Sequence, residues 1–148
     1  MHNDLWRYAC EFYARRGVEA ACLAAQAQGS NVCLALCALW LEQRQVTWEA
    51  VRAEVLSEIA LPWERTVVQP LRELREQWRP AAAGDIRLGQ LRESVKRLEL
   101  EAEQTLLARL QSAAQAWPAT CTTQPGWLDW AVPDATARAA LRAASSQA

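Results

Sequence analysis

The hydrophobic pattern is anchored by Val32 to Leu41 (VCLALCALWL), a run without a single polar side chain. As a helix it would span about 15 Å, roughly half of a bilayer crossing. A helix that is apolar all round and too short for a membrane belongs at the centre of a helical bundle. Upstream, Leu5, Tyr8, Ala9, Phe12 and Tyr13 fall on one face of a first helix that Asn3 or Asp4 can cap. Arg15 and Arg16 meet the negative end of its dipole, and Gly17 supplies a left-handed stop. Val18 to Ala27 predicts a second helix, small-sided through Ala20, Ala21, Ala24 and Ala25, which invites a closely packed neighbour. Gly29 ends it, and Ser30 or Asn31 caps the apolar helix, which runs to about Arg44.

Downstream, Thr47 is a cap candidate for a helix with Trp48, Val51, Val55 and Ile59 as its inner stripe. Pro62 suits the first turn of a further helix, whose face is Trp63, Val67, Leu71, Leu74 and Trp78, with Pro70 forcing a kink or restart. Arg79 to Asp85 (RPAAAGD) is the clearest interruption. The longest periodic stretch follows, Ile86 to Trp117, with Leu88, Leu91, Val95, Leu98, Ala102, Leu106, Leu110 and Ala113 stepping by three or four. Such a helix would be about 48 Å long, long enough to protrude or to pair with a second copy as a homodimer. After Trp117 the pattern breaks. PATCTTQPGWLDWAVPD carries three prolines, a Pro125–Gly126 turn and no basic residue, and Pro133–Asp134 then opens a short Ala-rich helix near Ala135 to Ala143. No period-two strand is present. The expectation is an all-α fold: a compact multi-helix bundle over residues 1–117 and an irregular Trp-bearing tail over 118–148.

Composition narrows the function classes. A formal charge of −1 gives no general attraction to nucleic acid or anionic lipid. Arg outnumbers Lys fifteen to one and Ala is abundant, a bias of GC-rich bacterial genomes that carries no functional weight. His2 is the only histidine, so Ser-His-Asp and Cys-His chemistry lack a base, and the Glu-x-x-His di-iron and H-E-x-x-H zinc patterns are absent. There is no Gly-rich phosphate loop. Cys10, Cys22, Cys33, Cys37 and Cys121 are odd in number and include no C-x-x-C pair. Cys33 and Cys37, one turn apart, could share a metal only with thiols from other helices, so structural thiols in a reducing compartment are expected, without metal or cofactor. The opening MHNDLWRYAC has neither a basic n-region nor an apolar h-region, which points to the cytoplasm.

Three constellations bear on chemistry. Glu99 and Glu103, in ELEAE, stand one turn apart beside the apolar stripe; they could bind a cation or raise each other's pKa. The plainer reading, adopted here, is a solvated edge compensated by Lys96. Arg72, Arg75 and Arg79 share a helical face beside Leu71, Leu74 and Trp78, inside a segment, Arg65 to Arg97, with eight basic and four acidic groups. That row could grip phosphate or an acidic partner helix, or lay its stems over Trp78. Trp127 and Trp130 sit in a Pro-bounded stretch. Either they strap their own domain, the favoured reading, or they dock on another protein.

LWRYACEFYARRGVEAACLAAQAQGSNVCLALCALWL (Leu5 to Leu41), QPLRELR (Gln69 to Arg75) and ELEAEQTLL (Glu99 to Leu107) resemble a family of small proteobacterial helical proteins known only as a domain of unknown function. The likeness covers about residues 4–110 and leaves the Trp-bearing tail outside. At Ala25 to Gly29 the chain has AQAQG where that family has LQ and an acidic residue, so no acidic role falls there. The resemblance implies a cytosolic helical protein and supplies no activity or site residue. With no catalytic toolkit and many apolar faces, the leading expectation is a non-enzymatic interaction protein binding a protein partner through Arg72, Arg75, Arg79, Trp127 and Trp130. A bundle holding an apolar or prenyl-type small molecule comes second, and a carboxylate- or Arg-dependent enzyme third.

Overall fold

The computed structural model describes residues 4–120 and 126–146. The expectations for His2, Asn3, the Asp4 side chain, Cys121 and Pro125 fall outside what it describes. The elements are α1 (Asp4–Tyr13), α2 (Val18–Ala27), α3 (Val32–Gln43), α4 (Ala50–Trp63), a π-helical turn (Glu64–Val68), α5 (Gln69–Ala82), α6 (Ile86–Ala114), α7 (Trp127–Ala131) and α8 (Ala135–Ser145). Among the described residues there is no strand, only an isolated antiparallel bridge between Val46 and Ala119. The fold is all-α. No described helix is long and apolar enough to cross a membrane.

The apolar run forms the centre. From Cys33 to Leu41 every residue of α3 is buried, against α1, α2, α4, α6 and α7. Its N-terminus is closed by Asn31, whose side chain accepts a 3.0 Å hydrogen bond from the Leu34 amide. Asp85 does the same for α6 through Leu88 at 3.1 Å, and Asp134 for α8 through Ala137 at 2.9 Å. Gly17 has φ +81°, a conformation strained for any residue with a Cβ, and this lets α1 turn at once into α2. Arg15 reaches past its own helix and donates to the Ala144 and Ser145 carbonyls at 3.2 and 3.1 Å, closing the end of α8 instead.

Three local expectations are corrected. Glu49, not Thr47, precedes α4, and the Thr47 hydroxyl instead meets that of Thr120. Pro62 does not start a helix. It lies inside α4, and the helical path from Ala50 to Ala82 continues through the π-turn, while Pro80 lies inside α5. The wider π-turn precedes Pro70 and eases the clash of its ring with the carbonyl four residues back, so the chain widens where it was expected to break. Finally, the inner stripe of α4 is Ala53, Leu56 and Ala60, whereas Trp48, Val51 and Val55 are exposed. Alanines face the neighbouring helices because they permit close approach of the backbones.

The α5–α6 pair is a helical hairpin turning at Ala83–Gly84, and α6 is about 43 Å long. The C-terminal half of α6 enters the main core through Leu106, Leu107, Leu110 and Ala114. The outer half lies against α5 and leaves Ile86, Leu91 and Leu98 exposed. Its buried seam runs Val95, Glu99, Ala102, Leu106, Leu107, Leu110, Gln111 and Ala114. The expected stripe therefore loses Leu91 and Leu98 to solvent and gains two polar residues. Gln111 is buried because its carbonyl accepts from the Leu5 amide at 2.9 Å, satisfying an N-terminal donor of α1.

The tail folds back onto the body. Trp127, Leu128, Val132, Ala137, Leu141 and Ala144 belong to the same core cluster as α3. Glu42, at the end of α3, clamps it: its carboxylate accepts from the Leu128 amide at 2.8 Å and from Arg142 at 2.8 and 3.3 Å.

Candidate functional site

A cavity of about 580 Å³ opens between α1, α2, α3, α5 and α6. Most of its wall is apolar: Trp6, Ala9, Ala14, Leu23, Val32, Leu36, Leu100 and Leu107, with the thiols of Cys10, Cys22 and Cys33. The small side chains that α1 and α2 present here leave the space a larger residue would fill. Tyr13, Leu23 and Leu100 line the cavity while remaining 40 %, 55 % and 54 % exposed, so its mouth is a greasy rim. The rest of the wall is mainly charged: Arg72 and Arg75 from α5, Glu99 and Glu103 from α6.

This charged wall reorders the candidate residues. Glu99, expected on a solvated edge, is 6 % exposed. It accepts from Arg75 Nε at 2.6 Å and Nη2 at 3.3 Å, and from Arg72 Nε at 3.3 Å. Arg72 also donates to Glu64 of the π-turn at 3.1 Å, and Arg92 donates to the Arg75 carbonyl at 2.9 Å. Hydrogen bonds to the charged carboxylate hold this cluster together, and they raise the Arg75 pKa further. Arg72 and Arg75 are thus brought together on Glu99, while Arg79, one turn further along, is exposed and outside the cluster.

Glu103 is the residue whose role the sequence hid. Among the described residues no side chain donates a hydrogen bond to its carboxylate. Burial, and then the neighbouring charge of Glu99, push its pKa up to about 7, with Arg72 and Arg75 opposing only partly. Its spacing from Glu99 was legible as a candidate pair; that one carboxylate is matched by arginines and the other is not became visible only once α5 was laid against α6. The same physics acts on two buried thiols beside it. Burial raises Cys22 to about 11 and holds Cys33 well above the ordinary thiol range. Cys33 Sγ donates weakly to the Glu103 carbonyl at 3.9 Å.

A family model matches residues 4–110, a span that contains every residue lining this cavity. The chain belongs to the family described as Protein of unknown function (DUF2390). No curated protein and no solved structure matches it. The family span excludes Trp127 and Trp130. Trp127 is fully buried, stacks on Trp117 at 5.8 Å, meets Trp130 edge-on at 5.8 Å and donates its indole N–H to the Val46 carbonyl at 2.9 Å. Trp130 is partly buried beside it. Trp127 is therefore packed within its own chain, on an element, α7, that lies against α3. Among the described residues no group of three or more His, Cys, Asp or Glu is placed to hold a metal ion.

Proposed function

We propose that this DUF2390 member is a binding protein for an apolar small molecule, held in the cavity between α1, α2, α3, α5 and α6. The observation that carries the reading is a roughly 580 Å³ space with apolar walls, an exposed apolar rim and charged residues in one wall. Its size falls within the about 300–1,000 Å³ of small-molecule sites, which combine apolar lining with few placed polar groups. The free thiols Cys22, Cys33 and Cys37, all buried, support a reducing, cytoplasmic setting. The Ala and Arg bias supports a bacterial source.

Titration with the uncharged dye N-phenyl-1-naphthylamine, which brightens in apolar surroundings, tests the proposal. Saturable one-to-one binding is expected, and its loss in both Ala9→Phe and Val32→Phe, two separate plugs of the cavity checked for folding by circular dichroism. No saturable binding, or equal binding by folded plugged variants, overturns it.

An interaction protein, including a homodimer built on the long helix, is the second reading. It is favoured by the exposed Ile86, Leu91 and Leu98 on the outer half of α6, and by Arg79, exposed on α5. It no longer rests on Arg72, Arg75 and Trp127, which are engaged within the chain. Sedimentation velocity separates the homodimer from the monomer.

A further inference from the structure

The charges in and around the cavity wall determine what the apolar ligand carries. Arg72 and Arg75 bring two positive charges. Glu99 and Glu64 return two negative ones through direct ion pairs at 2.6 to 3.3 Å. The remaining group is Glu103, whose carboxylate makes no direct ion pair among the described residues and feels Arg72 and Arg75 only as a partial offset to burial and to Glu99. The polar side chains that α1 and α2 bring to the cavity are Trp6, Tyr13, Gln26 and the thiols of Cys10 and Cys22, and α3 brings Cys33; none is a cation. Tyr13, pushed up to about 12 by burial, stays neutral and cannot supply a positive charge.

We propose that the cavity takes an amphiphilic amine: a hydrophobic body among Trp6, Val32 and Leu36, with a protonated amino group paired to the Glu103 carboxylate. The inference rests on the cavity being a ligand site and adds the sign of the ligand's head group. An acidic amphiphile would bring a third carboxylate beside Glu99 and Glu103, against arginines already neutralised, and is disfavoured by like-charge repulsion. A neutral alcohol would fill the apolar space and leave the carboxylate unmatched. An ammonium supplies donors and charge where burial has removed water, the setting in which an ion pair is strongest. The raised pKa of Glu103 agrees with this: burial and then the charge of Glu99 push it up, and Arg72 and Arg75 offset them only in part.

The test compares dodecylamine, dodecanol and dodecanoate at sub-micellar concentration, each displacing N-phenyl-1-naphthylamine from the full chain. At about pH 8, where Glu103 is ionised and the amine protonated, dodecylamine is expected to bind about tenfold or more tighter than dodecanol, the ratio a single partly desolvated ion pair gives. The preference is expected to shrink at about pH 5.5, where Glu103 carries its proton. It should also vanish in Glu103→Gln, a near-isosteric change whose folding is checked by circular dichroism. Equal binding of amine and alcohol by the wild type, tighter binding of dodecanoate, or an amine preference that survives in Glu103→Gln overturns the head-group assignment while the cavity reading stands. Failure of the dye and of all three amphiphiles to bind overturns the cavity reading itself.

Discussion

Removing Trp127 tests whether the C-terminal segment is part of the folded unit. The indole is fully buried, sits against Trp117 and Trp130, and donates to Val46, itself 1 % exposed. Trp127→Ala deletes the ring from a buried site that Trp117, Trp130 and Val46 enclose. Truncation of a buried Trp costs about 3–5 kcal/mol. The upper part of that range applies, because the Val46 carbonyl also loses its indole donor, a buried loss of about 1–3 kcal/mol by itself. Trp127→Phe keeps most of the volume and isolates that second effect, so it should cost about 1–3 kcal/mol. Urea denaturation followed by far-UV circular dichroism measures both, and an unchanged denaturant slope confirms that the same two states are compared. A loss below about 1 kcal/mol for Trp127→Ala would refute the strap, because no buried, hydrogen-bonded indole leaves so little behind. The tail would then be a loosely attached segment, and the docking reading of Trp127 and Trp130 would return.

Glu99→Ala removes the carboxylate that both Arg72 and Arg75 share and should destabilise the protein by about 3 kcal/mol, the low end for breaking a buried ion pair, since Arg75 keeps some solvent contact; a change under about 0.5 kcal/mol in equilibrium denaturation would mean the cluster is solvated. Glu103 titrates in the opposite sense to a salt-bridged acid. Its folded pKa of about 7 lies above its ordinary 4.5, so the folded state holds the proton more tightly, and stability falls as pH rises between those values. Glu103→Gln should therefore match the wild type near pH 4.5 and be the more stable at about pH 8, and thermal melts across that range showing a constant difference would contradict the assignment. Among the thiols, Cys10, expected with the others as a structural thiol, is exposed, and it should react with iodoacetamide in the native protein. Cys22, Cys33 and Cys37 should react only after unfolding, as read by peptide mass mapping.

The amino-acid sequence by itself determined the centre and several of the helix ends. Val32–Leu41 is apolar on every side, so any bundle must wrap it, and Asn31 and Gly17 stand at helix ends because a cap needs a short acceptor and a left-handed turn needs no Cβ. These are local rules, decided within a few residues along the chain. The tertiary structure decided which face each helix buries wherever apolar residues ring more than one side. Leu91 and Leu98 fit the helical period as well as Val95 and Ala102 do, and only the position of α5 selects between them. It also decided the polar seam. Glu99 reads as a solvated edge, and Gln111 gives no signal, because their partners, Arg72, Arg75 and the Leu5 amide, are remote in sequence and come within hydrogen-bond distance only when the helices pack. Glu103 follows from the same packing: its neighbour on the helix is bonded to both arginines, and Glu103 itself lines the cavity without a side-chain donor among the described residues.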